Sequence, residues 1–451
     1  MQTANEYLFQ TEKIHKAVLT LVWPTIISQL MMVLYNMSDS FWIGQLNDPA
    51  QMAAATICMP AFLCVLGISN IFGIGGASLM ARCLGLKSYE KARATCAFAL
   101  WSAIGCGFLY GLIFNIFGDQ ILYFIGAKED TFEYCKSYTF WTVVCGAIPA
   151  TLAALFGHLV RAEGYAKQAS LGMILGIGLN MVLDPIFIFC FHLEIAGAAM
   201  ATMLAMVVAC LYFVCFIKSR SSSSVLTLHP KYYRAGDHIA WEVLWVGFPS
   251  TLMNWMATAS NIVLNVLMAE YSTFAVAGMG IAKRIDTVVF AIANGMGQGV
   301  LPLISYNYAA KNFKRMRGAI KTAFMYSMIL AVMTTIYLFF GANWTTKLFI
   351  DNPETVEYGR DFLRVICLTC PCVAITLLII TLFQAAGKKI QPILLSIVRK
   401  GGLDIPLMYG LNKALGVMGL AWAIPLEDIL AVIIALVLFV PFWYNLKKQE
   451  M

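Results

Sequence analysis

Six acidic residues interrupt long apolar stretches of the sequence, where a carboxylate is costly. They are Asp39, Asp184, Asp286, Asp404, Glu427 and Asp428. A charged side chain at the centre of a membrane helix costs at least about 2.5–3.5 kcal/mol, so each of these residues is a candidate functional site. The chemistry open to each acid depends on which side chains lie within one helical turn of it.

Two of the six acids have basic neighbours at helical spacing. Lys400 precedes Asp404 by four residues, and Lys283 precedes Asp286 by three. Residues at these spacings lie on one face of a helix and interact. We therefore expect both acids to be neutralised, and we interpret Lys400 and Asp404 as a structural pair.

Asp39 and Asp184 have no base within a helical turn. Each instead has a carboxamide on its own face, Asn36 three residues before Asp39 and Asn180 four residues before Asp184. Clustered oxygen ligands with uncompensated negative charge suit a hard cation such as Na⁺, or a proton held by a desolvated carboxyl group. The alternative is that these acids only join helices through hydrogen bonds.

Two prolines accompany these acids. Pro185 follows Asp184 directly and cannot donate to the carbonyl of Met181, which leaves that carbonyl as a further acceptor. Pro24 lies in the same apolar stretch as Asp39 and permits that helix to bend.

The elements that position these residues are predicted from composition. Hydrophobic residues make up 60% of the 451 residues and charged residues only 12%, against roughly 45–50% and ~25% in soluble domains. This excludes a soluble fold, and with ~20 residues needed for each crossing the chain has room for twelve transmembrane helices. The predicted spans are 16–44, 52–81, 93–117, 135–160, 168–190, 195–217, 239–269, 274–306, 318–341, 361–385, 390–411 and 416–446.

The distribution of lysine and arginine predicts sidedness. The loops on the side of the termini carry most of the loop bases, and the opposite loops carry only Lys128, Lys347, Arg360 and Lys413. Basic loops face the cytoplasm, so both termini are expected there. This bias accounts for the net charge of +7 without nucleic acid. The polar residues 1–16 lack a signal-peptide cleavage pattern, so the first span is expected to be retained.

The chain contains an internal repeat. The stretch 218–237 has a serine run and a proline, and it predicts a cytoplasmic linker between an N-lobe (1–217) and a C-lobe (238–451). The matched pairs are Pro24 with Pro249 and Asn36 with Asn261 (offset 225), Gly164 with Gly387 (offset 223), and Asp184 with Asp404 (offset 220). The predicted fold is therefore an all-α polytopic membrane protein, with two six-helix lobes related by a parallel pseudo-two-fold repeat.

These same residues carry a family resemblance along the whole chain. The strings LVWPTIISQL and NMSDSFWIGQL in the first span, RAEGYAK after the fourth, GLNMVLDPIFIF in the fifth and QAAGKKIQP before the eleventh resemble the multidrug and toxic compound extrusion (MATE) family, within it the DinF-like branch. The resemblance implies a V-shaped antiporter that extrudes organic, often cationic, drugs and toxic compounds in exchange for Na⁺ or H⁺ by alternating access.

The resemblance also implies site residues. The cation-coupling pattern of the family falls on Asp39, Asn36, Asn180, Asp184 and Thr202. Na⁺ is expected at all of these except Asn36, with no other cofactor. The seventh span lacks the acid of the NorM-like branch, and the repeat places Leu264 and Lys400 where the first half has Asp39 and Asn180. We therefore expect the cation site in the N-lobe alone.

Most of the 24 methionines and 58 aromatic residues are expected to face lipid or the core, and a minority is expected to line an adaptable cavity for varied flat cations. The candidates are Tyr35, Met253, Trp255 and Met256. The expected partners are small amphipathic or cationic organic molecules and the lipid bilayer, and the protein is expected to be a monomer in the plasma membrane.

Other functions remain as alternatives. A flippase for lipid-linked precursors, of the same superfamily, would need a basic cavity, and the uncompensated acids argue against it. A channel is disfavoured by the duplicated halves and their prolines. An enzyme is disfavoured because the sequence has no HExxH motif and its five histidines are dispersed. The glycines of GIGG (73–76) and GMGQG (295–299) predict close helix packing rather than nucleotide binding. The cysteines are expected to be reduced thiols.

Overall fold

The computed structural model describes residues 6–46, 48–221, 223–236, 238–350 and 352–449, and within these ranges the chain is helical with no strand. Twelve long helical segments follow one another, after a short helix Glu6–Gln10. They are α1 Ile14–Gly44, α2 Pro49–Gly85, α3 Tyr89–Phe124, α4 132–162, α5 Ala166–Cys190, α6 Glu194–Ser219, α7 Ile239–Ala269, α8 Thr273–Ala309, α9 Phe313–Lys347, α10 Pro353–Ala385, α11 390–415 and α12 Val417–Lys448.

Most of these segments match the membrane spans expected from the sequence. Among the described residues, ten helices are long and apolar enough to cross a membrane, and α4 is an eleventh if its two parts, bent by 51°, are one span. The α11 segment is interrupted in its middle. The predicted all-α, twelve-helix architecture is confirmed, and most boundaries agree within a few residues.

Four segments that the sequence predicts as continuous are broken. A π-helical turn interrupts α4 at Phe140–Cys145, ends α5 at Ile186–Cys190 and divides α11 at Val398–Gly402, and a 3₁₀ turn divides α10 at Cys367–Thr369. The breaks lie beside residues that weaken helical hydrogen bonding, namely Gly146, Pro185, Pro371 and Gly401. Gly401 has φ of +89°, a conformation that favours glycine.

The chain forms two compact units, and neither is contiguous in sequence. Unit 1 contains the described residues up to Glu12 together with Ile27–Thr251, and unit 2 contains Lys13–Ile26 together with the described residues from Leu252 onward. The divisions at 26/27 and 251/252 each fall two residues after one of the matched prolines, Pro24 and Pro249. The first part of α1 thus belongs to unit 2, and the first part of α7 belongs to unit 1.

Glycines allow close packing of the two segments that belong to the other unit than the rest of their helix, namely the first part of α1 and the first part of α7. In unit 1, a Cβ atom on Gly247 would overlap the backbone of Ile71, and one on Gly75 would overlap the backbone of Val243. The first part of α7 therefore crosses α2 at backbone contact. The glycine-rich stretch of α2 has the packing role that the sequence predicts.

The same arrangement recurs in unit 2. A Cβ atom on Gly295 would lie 2.8 Å from Cα of Ile26, and one on Gly299 would lie 2.7 Å from Cα of Val22. The first part of α1 therefore crosses α8 closely, and the packing role predicted for the second glycine cluster is also confirmed.

The predicted linker 218–237 is attached to unit 1 over part of its length. Ser224, Val225, Leu226 and Thr227 are buried. The carboxylate of Glu163, in the turn between α4 and α5, accepts hydrogen bonds from Ser224 Oγ and from the Val225 N–H at 2.9 Å. Ser222 and Asp237 lie outside the described residues. The linker thus lies inside unit 1, whereas the sequence places the boundary between lobes there.

Candidate cation site

One face of α5 is built for close approach to α6. Its glycines follow each other at a spacing of four residues, and a Cβ atom on Gly172 would lie 2.5 Å from the ring of Phe213. A Cβ atom on Gly176 would lie 2.9 Å from Cβ of Ala209. This close packing of small residues brings the next residue of the face, Asn180, against α6.

Asn180 links the two helices through its side-chain amide. Its Nδ2 donates to Asp184 Oδ1 at 3.0 Å, one turn along α5, and to Thr202 Oγ1 at 3.2 Å, on α6. Asn180 and Asp184 are fully buried, and Thr202 is 3% exposed. Both amide hydrogens are used, which fixes the amide oxygen of Asn180 as a free acceptor.

Helix α1 supplies a third wall. The hydroxyl of Tyr35 lies 3.4 Å from Thr202 Oγ1, and Asp39 follows one helical turn later. Asp39 is near enough to Asp184 for their charges to interact. The structure thus assembles four predicted cation-site residues, together with Tyr35, within unit 1.

Three buried oxygens of this cluster have no hydrogen-bond partner among the described residues. They are Asp39 Oδ1, Asn180 Oδ1 and Asp184 Oδ2. Leaving a buried acceptor unsatisfied costs about 1–3 kcal/mol, so native proteins rarely do so without a functional reason. A cation or a proton would satisfy these oxygens.

The ligand set restricts which ion fits. Carboxylate, amide and hydroxyl oxygens are the ligands that hard cations prefer. The described part of the chain holds no group of three or more His, Cys, Asp or Glu side chains that suits a metal ion. Na⁺ fits the donor chemistry, and a proton bound to either carboxylate fits equally.

Asn36, the fifth predicted site residue, does not join the cluster. Its side chain is exposed, and its backbone carbonyl accepts a hydrogen bond from Ser40 Oγ at 2.9 Å. A spacing of three residues from Asp39 predicts a shared face, but the face of α1 at Asn36 is exposed, so this side chain lies away from the buried cluster.

Sequence reasoning missed Tyr138, on the first part of α4. Its hydroxyl is near enough to Asp39 and Asp184 to interact with both charges. No local pattern signals this, because the contact requires α1, α4 and α5 to assemble.

The other residues predicted to line a substrate cavity lie on α7. Met253 is buried with its sulfur 3.9 Å from Nη1 of Arg399, and Met256 packs against the backbone of Gly401. Trp255 is 43% exposed. A role in substrate binding stays a prediction for these three residues and for Tyr35.

The pair predicted in the second half is present, with an additional member. Lys400 Nζ lies 3.5 Å from Asp404 Oδ2, as the spacing predicts, but only 2.9 Å from Glu427 Oε2 on α12. The neutralisation of Asp286 is confirmed as well, with Lys283 Nζ at 3.2 Å. Lys400 is therefore shared between two acids.

A family model described as MatE matches the chain twice, over residues 24–186 and again over residues 249–409. The two matches begin at Pro24 and Pro249, the residues that define the internal repeat. The chain belongs to the MATE family. MATE proteins are transporters, so this chain is not an enzyme. Assignment to the DinF-like branch stays a prediction.

Individual MATE relatives cover nearly the whole chain. It is 28% identical over 438 residues to the multidrug export protein MepA of Staphylococcus aureus (strain MSSA476). The aligned region covers 97% of this chain and 96% of MepA. A MATE crystal structure in complex with MaD3S superposes with a TM-score of 0.93 at 24% identity, covering 99% of this chain and 100% of that one. A multidrug resistance MATE transporter in an outward-facing conformation gives 0.91 at 23% identity with the same coverage. At these identities the structures show the shared fold.

Proposed function

We propose that the protein is a secondary active antiporter that exports organic, often cationic, compounds in exchange for Na⁺ or H⁺ by alternating access. The observation that carries this proposal is the set of three buried, unsatisfied oxygens of Asp39, Asn180 and Asp184. The similarity to MepA, a multidrug export protein, supports drugs as the substrate class.

The proposed coupling rests on the position of Asp39. It lies on α1, whose first part belongs to unit 2 and whose remainder belongs to unit 1. A bound cation or proton cancels part of the buried negative charge, which lowers the cost of repacking this helix against apolar neighbours. A conformation that binds the ion more tightly then becomes more populated.

Coupling of this kind is reciprocal. If the ion favours a conformation that holds the drug weakly, the drug must weaken ion binding by the same factor. Drug and ion are then exchanged because each favours a different conformation of the protein, and they need not compete for the same binding atoms.

The proposed setting is the plasma membrane, with the protein acting as a monomer. The proposed orientation has both termini in the cytoplasm, because the basic loops and the termini share a side. Lys218, Arg220, Lys231 and Arg234 in the linker contribute to this bias. The buried attachment of residues 224–227 to unit 1 holds part of the linker at that surface.

Dye transport in proteoliposomes tests the function. The purified protein is reconstituted, and ethidium transport is followed under an imposed Na⁺ gradient and, separately, under an imposed pH gradient. Counter-gradient movement driven by one of the two supports the antiporter and identifies its ion. Transport that only dissipates the dye gradient under both conditions contradicts the proposal.

Equilibrium binding tests the assignment of Asp39. Ethidium affinity of the purified protein should fall as Na⁺ rises or as pH falls, and it should be insensitive to both in Asp39→Asn. The matched control is Asp119→Asn, which removes an exposed acid of unit 1 that pairs with exposed Lys136. An Asp39→Asn protein that keeps the wild-type ion response excludes Asp39 from coupling.

A further inference from the structure

A second cluster of buried charges lies in unit 2, where the sequence predicts no ion site. It contains Arg399, Lys400 and Asp404 of α11 and Glu427 and Asp428 of α12. The three acids are 1%, 0% and 4% exposed in that order, and Arg399 is 3% exposed. The cluster is therefore almost entirely removed from water.

Lys400 and Arg399 do not provide hydrogen bonds to all of the carboxylate oxygens. Lys400 bonds one oxygen each of Glu427 and Asp404. Arg399 Nε lies 3.7 Å from Asp428 Oδ1 without forming a hydrogen bond, and its guanidinium lies over the ring of Phe290. As a result, one oxygen of each acid is buried with no hydrogen-bond partner in the described chain: Asp404 Oδ1, Glu427 Oε1 and Asp428 Oδ1.

The surrounding helices do not supply the missing charge. From α7, Ser260 donates a hydrogen bond to Asp404, and from α10, Thr369 donates to Asp428 Oδ2 at 3.1 Å. The α10 segment also presents the thiols of Cys370 and Cys372, which are neutral donors of low strength. On α8, Lys283 and Asp286 neutralise each other, and Arg284 is exposed.

Three carboxylates therefore face two cations, which leaves one unbalanced negative charge inside unit 2. An uncompensated buried charge costs several kcal/mol, and buried acids avoid this cost by taking up a proton. The ligand chemistry favours a proton over a metal ion, because the ammonium of Lys400 already lies between Glu427 and Asp404. A proton would also supply a new O–H donor for one of the unsatisfied oxygens.

We propose that this cluster binds one exchangeable proton, held jointly by Glu427 and Asp428, whose Oε1 and Oδ1 atoms are buried without a hydrogen-bond partner in the described chain. Because the acids interact, the proton belongs to the set and is not assigned to a single residue. This site is separate from the candidate cation site, lies in the other unit, and adds a second ionisable centre to a half in which the sequence predicts none.

Infrared spectroscopy tests the proposal through the carbonyl band of a protonated carboxyl group. The parent protein is the full chain carrying Asp39→Asn, Asp184→Asn and Glu163→Gln, so that neither the acids of the first site nor the buried acid that holds the linker contribute. We expect a band equivalent to one carboxyl group, and titration with base should remove it.

The charge balance predicts opposite effects of two kinds of substitution. Glu427→Gln and Asp428→Asn each leave two carboxylates with two cations and should each abolish the band. Lys400→Met leaves three carboxylates with one cation and should increase the band toward two carboxyl groups. The control Asp361→Asn removes a half-buried acid that pairs with Arg360 outside the cluster, and it should leave the band unchanged.

Absence of the band in the parent protein overturns the proposal, as does a band that persists in a folded Glu427→Gln or a folded Asp428→Asn protein. Because two conservative variants are used, misfolding of one leaves the other decisive. The parent protein lacks the two acids of the candidate cation site, so the infrared result does not depend on the outcome of the dye experiments.

Discussion

Asn180 uses both hydrogens of its side-chain amide within unit 1, and this determines what the neighbouring acids can bind. Its amide oxygen and the free oxygen of Asp184 are left as acceptors, while Thr202 receives a hydrogen bond from the same nitrogen. The acids of unit 2 differ because a lysine and an arginine lie among them. The first cluster thus has room for an added cation, and the second already contains two.

Asp184→Asn should separate the charge of this site from its shape. The new carboxamide can still accept from Asn180 Nδ2, so we expect near-normal expression and stability. It lacks the negative charge, so gradient-driven dye transport should fall to the background of protein-free vesicles. Wild-type transport in Asp184→Asn would exclude the residue from coupling. Pro185→Ala serves as the neighbouring control and should reduce transport less.

Because Lys400 is shared by Glu427 and Asp404, removing Lys400 and Asp404 together should not fully restore stability. Lys400→Met strands both Glu427 and Asp404, and breaking a buried pair costs about 3–5 kcal/mol. Adding Asp404→Leu should recover only part of this loss, because Glu427 remains without its lysine. Adding Glu427→Gln as well should recover more. The measurement is the unfolding temperature in detergent, and full recovery by the double variant would show that Glu427 does not depend on Lys400.

The sequence predicted those parts of both clusters that lie within one helical turn. The pairs Asn180 with Asp184 and Lys400 with Asp404 follow from spacing alone. Glu427 lies 27 residues from Lys400, and Tyr138 reaches Asp39 only through helix packing, so neither could be assigned from local spacing. Asn36 shows that local spacing can also predict a contact that does not form, since its side chain lies outside the cluster.

At the scale of helices, the spacing of small residues on α5 sets the distance to α6. Gly176 lies one turn before Asn180 and touches Ala209, whereas a methyl group added to Gly178 on the same helix would meet no atom within 4 Å. The hydrogen bond from Asn180 to Thr202 depends on this close approach. The two glycines therefore form a matched pair for mutation.

Gly176→Ala should push the two helices apart and weaken the link from Asn180 to Thr202. Overpacking of this kind costs about 1–3 kcal/mol, and the ion response of dye binding should weaken with it. Gly178→Ala should be neutral or stabilising by up to about 1 kcal/mol, because alanine favours a helix. Equal effects of the two substitutions on unfolding temperature and dye binding would contradict this interpretation.

The attachment of the linker should depend on pH through Glu163. Burial raises the pKa of this carboxyl group from 4.5 to about 7, and outweighs the hydrogen bonds from Ser224 and Val225 and the nearby charges of Arg220 and Arg93. The folded state then binds a proton that the unfolded state has released. The contribution of Glu163 to the free energy of unfolding is fully present below pH 4.5 and is lost as pH rises to about 7. The loss is on the order of 3 kcal/mol.

Glu163→Gln should remove this dependence. We expect the unfolding temperature of the wild type to fall between pH 4.5 and about 7, and the corresponding slope to be flatter in the variant. Glu129→Gln, an exposed acid of the same unit, should keep the wild-type slope. If all three proteins share one slope, Glu163 is not the titrating group.

The breaks in the helices were beyond local sequence reasoning. Hydropathy locates α4, α5, α10 and α11 because each contains apolar stretches between charged or Gly/Pro-rich breaks. A proline or glycine indicates where a helix is weak, but whether it bends depends on the packing of its neighbours. Pro24 shows this, because α1 continues as one helix from Ile14 to Gly44 in spite of it.

At the scale of the whole molecule, the repeat produces two units that exchange their opening segments. The first part of α1 packs on α8, and the first part of α7 packs on α2, with glycines at both crossings. The pattern predicted two halves of six helices. It could not predict the exchange, since the repeat is equally compatible with two self-contained halves.

Gly247→Ala tests how strictly the crossing in unit 1 depends on glycine. The added methyl group meets the backbone of Ile71, which cannot rotate away, so we expect a strongly lowered yield of folded protein and a lower unfolding temperature. Gly105→Ala, on α3, adds the same methyl group where no atom lies within 4 Å. Comparable yields of the two variants would show that the crossing adjusts easily.

The exchange of opening segments also constrains the order in which the chain can fold during synthesis. Ile26 leaves the ribosome 269 residues before Gly295 (295 − 26), the residue it packs against. The first part of α1 must therefore wait, inserted but without its final neighbour, until α8 has been made. Unit 1 becomes complete only when α7 has begun to emerge. A chain that stops before α7 therefore leaves the glycine-lined face of α2 without its neighbour, and another chain could pack there.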